Sequence, residues 1–344
     1  MGQDTAQPDP VARRDLLATA LLARTDWADA SRAPLAGDAS NRRYERLTDP
    51  ATGRHAVLMD APPEKGEDVR PFVTVAQYLR DQGLSAPQIY GEDAEYGFLL
   101  LEDLGDALFA RVIPDQPDLE PLLYETATDV LVHLLAAPKP QLPAYDPPLM
   151  AELSALSLTK YAAGITGTPD PALVKRFTTR FQALLADLTQ GPRMVVQRDY
   201  HAENLLWLPD RDGVARVGLL DFQDAMIGHP AYDLVSLLQD IRRDVPAAIE
   251  HAMLTRFIAA TGLDDHAFRT AYAALGVQRN LRILGVFARL ALDYGKPKYV
   301  DLIPKVWTHL RRDLDHPVMA PIAQMILQAL PVPTPDALAR LKQP

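Results

Sequence analysis

Asp199, Asn204 and Asp221 lie in the stretch VVQRDYHAENLLWLPDRDGVARVGLLDFQDA (195–225), each beside an apolar run. On an ordinary surface such polar groups would be scattered. Here they stand at the rims of segments that read as buried. Phosphoryl transfer from ATP asks side chains for a base beside an acceptor hydroxyl, hard oxygen ligands for Mg2+, and a clamp on the triphosphate. Asp199 fits the base. Asn204, on the loop that follows, can offer a neutral carbonyl oxygen to a metal, and Asp221, closing the strand VGLLDF, can ligate Mg2+ between phosphates. An Asp–Asn pair in a loop is more often a turn or a helix cap. Two such motifs in order, each with its own strand, weigh against that reading.

Three kinds of element must position these residues. Residues 11–30 read as a helix with Leu16, Leu17, Ala20, Leu21 and Leu22 on one face. Tyr44–Leu47, the turn TDPATGR and HAVLMD read as a hairpin; 67–82 as a helix closed by Gly83; PQIY (87–90) and FLLLEDLG (98–105) as strands. After Leu108 the pattern is helical over 119–137, 149–163, 171–189, 230–242, 247–261, 265–293 and 298–314, with VVQ (195–197) and RVGLLDF (216–222) as short strands. The expected fold class is α+β and two-lobed. Residues 1–104 form a small β-rich nucleotide-binding lobe, and 105–344 a larger, mainly helical lobe for catalysis and substrate binding. For 315–344 a helix with proline-rich flanks is expected.

Composition narrows the classes. The chain of 344 residues has no cysteine, which removes disulfides, thiolate metal sites and cysteine nucleophiles and fits a reducing compartment. Its net charge of −10 and lack of a nucleic-acid motif argue against DNA or RNA partners. The N-terminal residues hold no secretory signal pattern, and PVMAPIAQMILQALPVPTP (317–335), broken by five prolines, would not span a membrane. A cytoplasmic protein with a small-molecule substrate and no obligate protein partner is expected. Against the acidic average, residues 278–312 carry eight Lys or Arg and two Asp.

RDYHAENLLW resembles the H-G-D-x-H-x-x-N-L-L loop of the aminoglycoside phosphotransferase family, whose fold is protein-kinase-like, and LLDFQDAMIGHPAYDLVSLL resembles its I-D-W/F-x-x-A-x-x-G-x-P-x-x-D-L segment. The resemblance implies ATP and Mg2+ as cofactors, Asp199 as the catalytic base, Asn204 and Asp221 as metal ligands, and Asp233 as a structural buttress of the loop. It departs from the family pattern at Gln197 and Arg198, where the loop has His and Gly. On the strand VLMDAPP, Met59 or Asp60 falls where a kinase has its phosphate-binding Lys. The phosphate loop GDASNRRYERL holds one glycine but brings Ser40, Arg42 and Arg43, so one of these arginines, or Lys65, is expected to replace that Lys; no Glu of the 67–82 helix stands out as its ion-pair partner unless it is Glu67. By position in such a fold, Glu102, Asp103 and Leu104 would meet the adenine through the hinge backbone.

For the acceptor, Arg279, Arg282 and Arg289 fall on one stripe of an otherwise apolar helix, a pattern suited to carboxylate or phosphate. Solvated or ion-paired arginines would look the same. AGDASNRRYERL, VLMDAPPEK, RPFVTVAQYL and LRILGVFARLALDYGKPKYVDLIP are similar to the bacterial N-acetylmuramate/N-acetylglucosamine anomeric kinases of cell-wall recycling. That resemblance implies an amino-sugar 1-kinase, with His201 and Glu203 as further substrate-binding residues. The alternatives are a kinase of the same family with an aminoglycoside, choline or amino-acid acceptor, or a nucleotide-binding pseudokinase, for which the missing Lys is the best support.

Overall fold

The computed structural model describes residues 9–35 and 41–343. Five strands make one antiparallel sheet: β1 (Ser31–Leu35), β2 (Arg43–Thr48), β3 (His55–Asp60), β4 (Ile89–Asp93) and β5 (Phe98–Glu102), in the order β1-β2-β3-β5-β4. The β2–β3 hairpin closes where TDPATGR predicts. The Asp49 carboxylate accepts from the Ala51 N–H at 2.9 Å, and Gly53 supplies the positive φ of 71°. Strand alternation sends Ala56, Leu58, Phe98 and Leu100 to one face, where they pack with Ala18, Leu21, Leu22 and Trp27.

The N-terminal helix is Pro10–Leu22, shorter than expected, and its buried side differs from the apolar face read from the sequence. Leu16 is 65% exposed, while Arg14 is buried. Arg14 donates to Asp60 Oδ1 through Nε at 3.0 Å and lies over the Phe98 ring at 4.1 Å, so a cation takes an inward position that hydrophobicity would have given to Leu16. Strand β1 carries Arg32 and Pro34 and is largely exposed, which hid it from a search for alternating apolar residues. The amphipathic helix Arg70–Asp81 buries Phe72, Val75, Ala76 and Leu79, with Phe72 against Phe222 at 4.8 Å.

Grouped by packing, the chain forms two units. The first takes the chain up to Ala107 together with Leu206–Asp224; the second takes Leu108–Leu205 and the chain from Ala225. A single cut at 104/105 therefore gives a different partition, placing 206–224 in the larger lobe. The segment returns to the first unit through β7 (Leu205–Trp207) and β8 (Val217–Leu219), which pair with each other, and through Ser85, which bridges Gly218 and donates to the Ala215 carbonyl at 2.6 Å. In the second unit β6 (Met194–Val196) pairs with β9 (Met226–Gly228). β7 and β9, three residues each, were not read from the sequence.

The second unit is helical around Asp265–Leu292, most of whose length is buried. Two glycines allow neighbours onto it: a Cβ at Gly285 would fall on the Leu156 main chain, and one at Gly276 on the Asp313 carboxylate. The helix expected over 149–163 is accordingly broken into Pro147–Ser154 and a wider turn at Ser157–Ala162. That expected over 230–242 ends at Leu238, because Gln239 is recruited into a buried polar cluster with Asn280 and Asp313. Within residues 315–343 lie two α-helices, Ala320–Ala329 and Pro335–Lys342. Among the described residues, no helix is long and apolar enough to cross a membrane.

Burial pushes the Asp313 carboxyl up to about 7, against the pull of Arg312 and the Gln239 amide. A carboxyl whose folded pKa exceeds its unfolded value stabilises the fold fully below the unfolded value. That contribution is lost as pH rises from about 4 through about 7. Asp313→Asn removes the titration. In denaturant unfolding, the stability lost between about pH 5 and about pH 7.5 should be smaller in the variant than in the wild type by about 2 kcal/mol. An unchanged difference would mean that Asp313 stays ionised in the fold.

Candidate active site

The loop bearing Asp199 leaves β6 and is pinned from several sides within the second unit. Arg198 has a φ of 73°, a left-handed backbone that costs an L-residue about 1 kcal/mol or more. That explains the glycine of the family motif. Here the helix Ala231–Leu238 holds the turn in place: the buried Asp233 carboxylate accepts from the N–H groups of Gln197 at 2.6 Å and Arg198 at 2.9 Å. One turn further on, Ser236 Oγ donates to the Arg198 carbonyl at 3.4 Å and accepts from Arg279 Nη2 at 3.0 Å. Tyr200 donates to the Ala127 carbonyl at 2.8 Å, and the Ala110 N–H donates to that of Ala202 at 3.1 Å. Burial pushes the Asp233 carboxyl up to about 7, against the pull of its two N–H donors.

Asp199 itself is half-buried. Burial would raise its pKa, but Arg282, Arg279 and Arg198 outweigh that and hold the carboxyl below the usual range. Asn204 Nδ2 donates to the Asp199 carbonyl at 2.9 Å, so the amide nitrogen faces back into the loop and the oxygen lies on the other side. His201 is buried, and its Nε2 faces Arg242 Nη1 at 3.1 Å. A guanidinium only donates, so Nε2 is the acceptor and Nδ1 carries the proton. Burial and Arg242 lower its pKa to about 4, leaving a neutral ring at pH 7. Glu203 points into solvent.

Asp221 belongs to the first unit. It stands two residues beyond β8 with φ 57°, a turn that Asp tolerates, and its Oδ1 accepts from Gln223 Nε2 at 2.7 Å. Of the nucleotide-binding expectations, Ser40 lies outside the described residues. Arg42 is fixed by Glu67, with Nε 2.8 Å from Oε2, and the Asn41 N–H donates to the other oxygen at 3.2 Å. Arg43 is exposed, 4.0 Å from Asp60. The Glu102 carboxylate is taken by Arg211 at 2.6 Å and the Gln88 N–H at 3.1 Å, and Asp103 by Arg46 at 2.6 Å. Leu104 packs against Gly218. These side chains hold the strand end in place.

The three arginines of the stripe separate. Arg279 is buried on Ser236; Arg282 is half-buried and donates Nη1 to the Tyr232 hydroxyl at 3.0 Å; Arg289, seven residues on, stands about 10 Å further along the axis. Part of the basic excess in 278–312 is neutralised elsewhere, by Lys305 on Asp244 and Arg312 on Glu250. Tyr145, Tyr232 and Ser236 were not read as site residues. Ser236 had a signal, three residues after Asp233 on one helix face; Tyr145 is remote in sequence and had none.

The second unit thus presents a half-buried carboxylate on a loop held by several hydrogen bonds. Residues 31–274 match the phosphotransferase enzyme family, and the chain belongs to it. Its relatives are more specific. It is 37% identical to an N-acetylmuramate/N-acetylglucosamine kinase of Caulobacter vibrioides, over 94% of this chain and 98% of the relative. To the kinase of the same name from Pseudomonas aeruginosa it is 34% identical, over 80% and 82%. A choline/ethanolamine kinase family protein of Mesorhizobium loti has a similar fold, with a TM-score of 0.63 at 14% identity over 96% of this chain and 100% of the other.

Proposed function

We propose that the protein is an ATP-dependent kinase that phosphorylates the anomeric hydroxyl of N-acetylmuramate and N-acetylglucosamine in the cytoplasm. The observation that carries this is the near-full-length similarity to kinases named for those two sugars. Asp199 accepts the proton of the anomeric hydroxyl as its oxygen attacks the γ-phosphorus, and ADP departs with the bond it breaks. An anomeric hydroxyl is more acidic than an ordinary alcohol, because the ring oxygen draws density from the same carbon. It therefore suits a weak base, and Asp199, held low by its arginines, is weak. Asn204 and Asp221 are the hard oxygen donors assigned to Mg2+, and the amide orientation of Asn204 fits that role. When bound, the ion would offset charge on the transferred group. His201 is buried with its Nε2 taken by Arg242, so the sugar contact expected of it gives way to a role inside the loop, and Glu203 stands at the solvent edge.

In the first unit, Arg42 takes the part of the missing strand Lys, with Glu67 as its anchor and Arg43 beside it; Ser40 belongs to the same phosphate loop, and the backbone of Glu102–Leu104 receives the adenine. Glu67→Gln should raise KM for ATP roughly tenfold with a smaller fall in kcat, since it frees Arg42 without removing it. An unchanged KM for ATP would leave Arg42 out of the nucleotide site. The acceptor is tested by ATP consumption with N-acetylmuramate, N-acetylglucosamine, glucose, kanamycin and choline. Turnover with the two N-acetyl sugars is expected, and turnover confined to kanamycin or choline would refute the assignment.

A further inference from the structure

The two sugars differ by one group: N-acetylmuramate carries a carboxylate on an ether side chain, and N-acetylglucosamine is neutral. Some cation must meet that carboxylate if the acidic sugar is to bind as well as the neutral one. Of the three arginines on the long helix, Arg279 is unfit. It is 3% exposed, its Nε and Nη1 are shut away from solvent, and its Nη2 supports Ser236 and through it the Arg198 carbonyl. Arg289 stands two turns beyond Arg282, away from the residues that set the charge on Asp199.

Arg282 is different in three respects. It is half-buried, so a ligand can reach it. Among the described residues its guanidinium forms no ion pair with a carboxylate; its hydrogen bond goes to the Tyr232 hydroxyl. Arginines on buried helices are ordinarily hydrogen-bonded to an acid, whereas Asp199 acts on this one only through space, which leaves its donors for a second anion. Its orientation is also fixed in advance. Tyr232 meets Tyr145 edge to face at 4.8 Å, the Tyr145 hydroxyl reaches Gln278 Oε1 at 3.3 Å, and Gln278 Nε2 donates to the Met150 carbonyl at 3.0 Å. A planar guanidinium held this way loses little freedom on taking a carboxylate.

We infer that Arg282, held by the Tyr145–Tyr232 pair beside Asp199, is the specificity residue that binds the carboxylate of an acidic amino sugar. The inference rests on the acceptor reading above. Because Arg282 also acts on Asp199, its loss lowers turnover of both sugars, and the informative quantity is the ratio of their kcat/KM values. Arg282→Gln should lower the ratio of N-acetylmuramate to N-acetylglucosamine by about 10- to 100-fold, with Arg282→Lys recovering part of it. In the wild type, converting the sugar's carboxylate to its amide should cost a similar factor, and in Arg282→Gln the same change should cost little further. Tyr232→Phe, which removes only the orienting hydroxyl, should lower the ratio by a smaller factor and covers the case in which Arg282→Gln fails to fold.

An equal fall for both sugars, with a raised KM for ATP, would show that Arg282 serves a phosphate oxyanion instead and overturn the inference. So would independent, additive effects of the Arg282→Gln and amide changes. Failure of the wild type to phosphorylate either sugar would be a failure of the acceptor reading, visible before any variant is made.

Discussion

Asp199→Asn should lower kcat by about 10^2- to 10^4-fold while leaving ATP affinity within about threefold of the wild type. The substitution keeps the shape of the side chain and removes its charge and its capacity to take a proton. The bond from Asn204 goes to the main-chain carbonyl of Asp199 and survives the change. Nucleotide binding is assigned to residues of the first unit, whereas Asp199 belongs to the second. Single-turnover kinetics and a fluorescent-nucleotide titration measure the two quantities separately. A variant that retains turnover would exclude Asp199 as the base. Equal nucleotide binding with no consumption by either protein would favour a pseudokinase.

The second large effect is expected at Asp233, which touches no substrate in this account. Asp233→Ala leaves the N–H groups of Gln197 and Arg198 buried without an acceptor. Each orphaned donor costs about 1–3 kcal/mol, offset in part because a carboxyl raised to about 7 no longer has to ionise in a buried place. A net loss of about 2–4 kcal/mol follows. Activity should fall further than stability accounts for, roughly 100-fold at a temperature where the variant is folded, because the strained φ of Arg198 loses its restraint and Asp199 is no longer aimed. Asp233→Asn retains one acceptor oxygen and should fall between. Urea unfolding and kcat at low temperature test the pair; full activity in folded Asp233→Ala would remove the loop-holding role.

Such effects also indicate what a sequence can carry. Asp199, Asn204 and Asp221 stood out because their types and spacing match the motifs of the family, and because each lies beside a strand that announces itself by hydrophobicity. The left-handed turn at Arg198 was visible only as a departure from a glycine. Its restraint by Asp233, Ser236 and Arg279 depends on a helix and a partner more than 30 and 80 residues away, which no local pattern encodes. The arginine stripe shows the same limit. Spacing put three cations on one face, but only packing separates a buried support, Arg279, from the half-open Arg282. In the first unit, the missing strand Lys was legible as a question, and the Arg42–Glu67 pair is proposed as its answer. The inward Arg14 went unread, because a charged residue inside an amphipathic helix is ordinarily assigned to solvent.

The position of the transferred phosphate tests the central claim most directly. Incubation with ATP, Mg2+ and N-acetylmuramate, followed by phosphorus–proton correlation NMR of the product, locates the ester on one carbon. The account predicts a phosphate coupled to the proton of the anomeric carbon, released by mild acid. A phosphate on any other hydroxyl of the sugar, stable to the same acid, would contradict it.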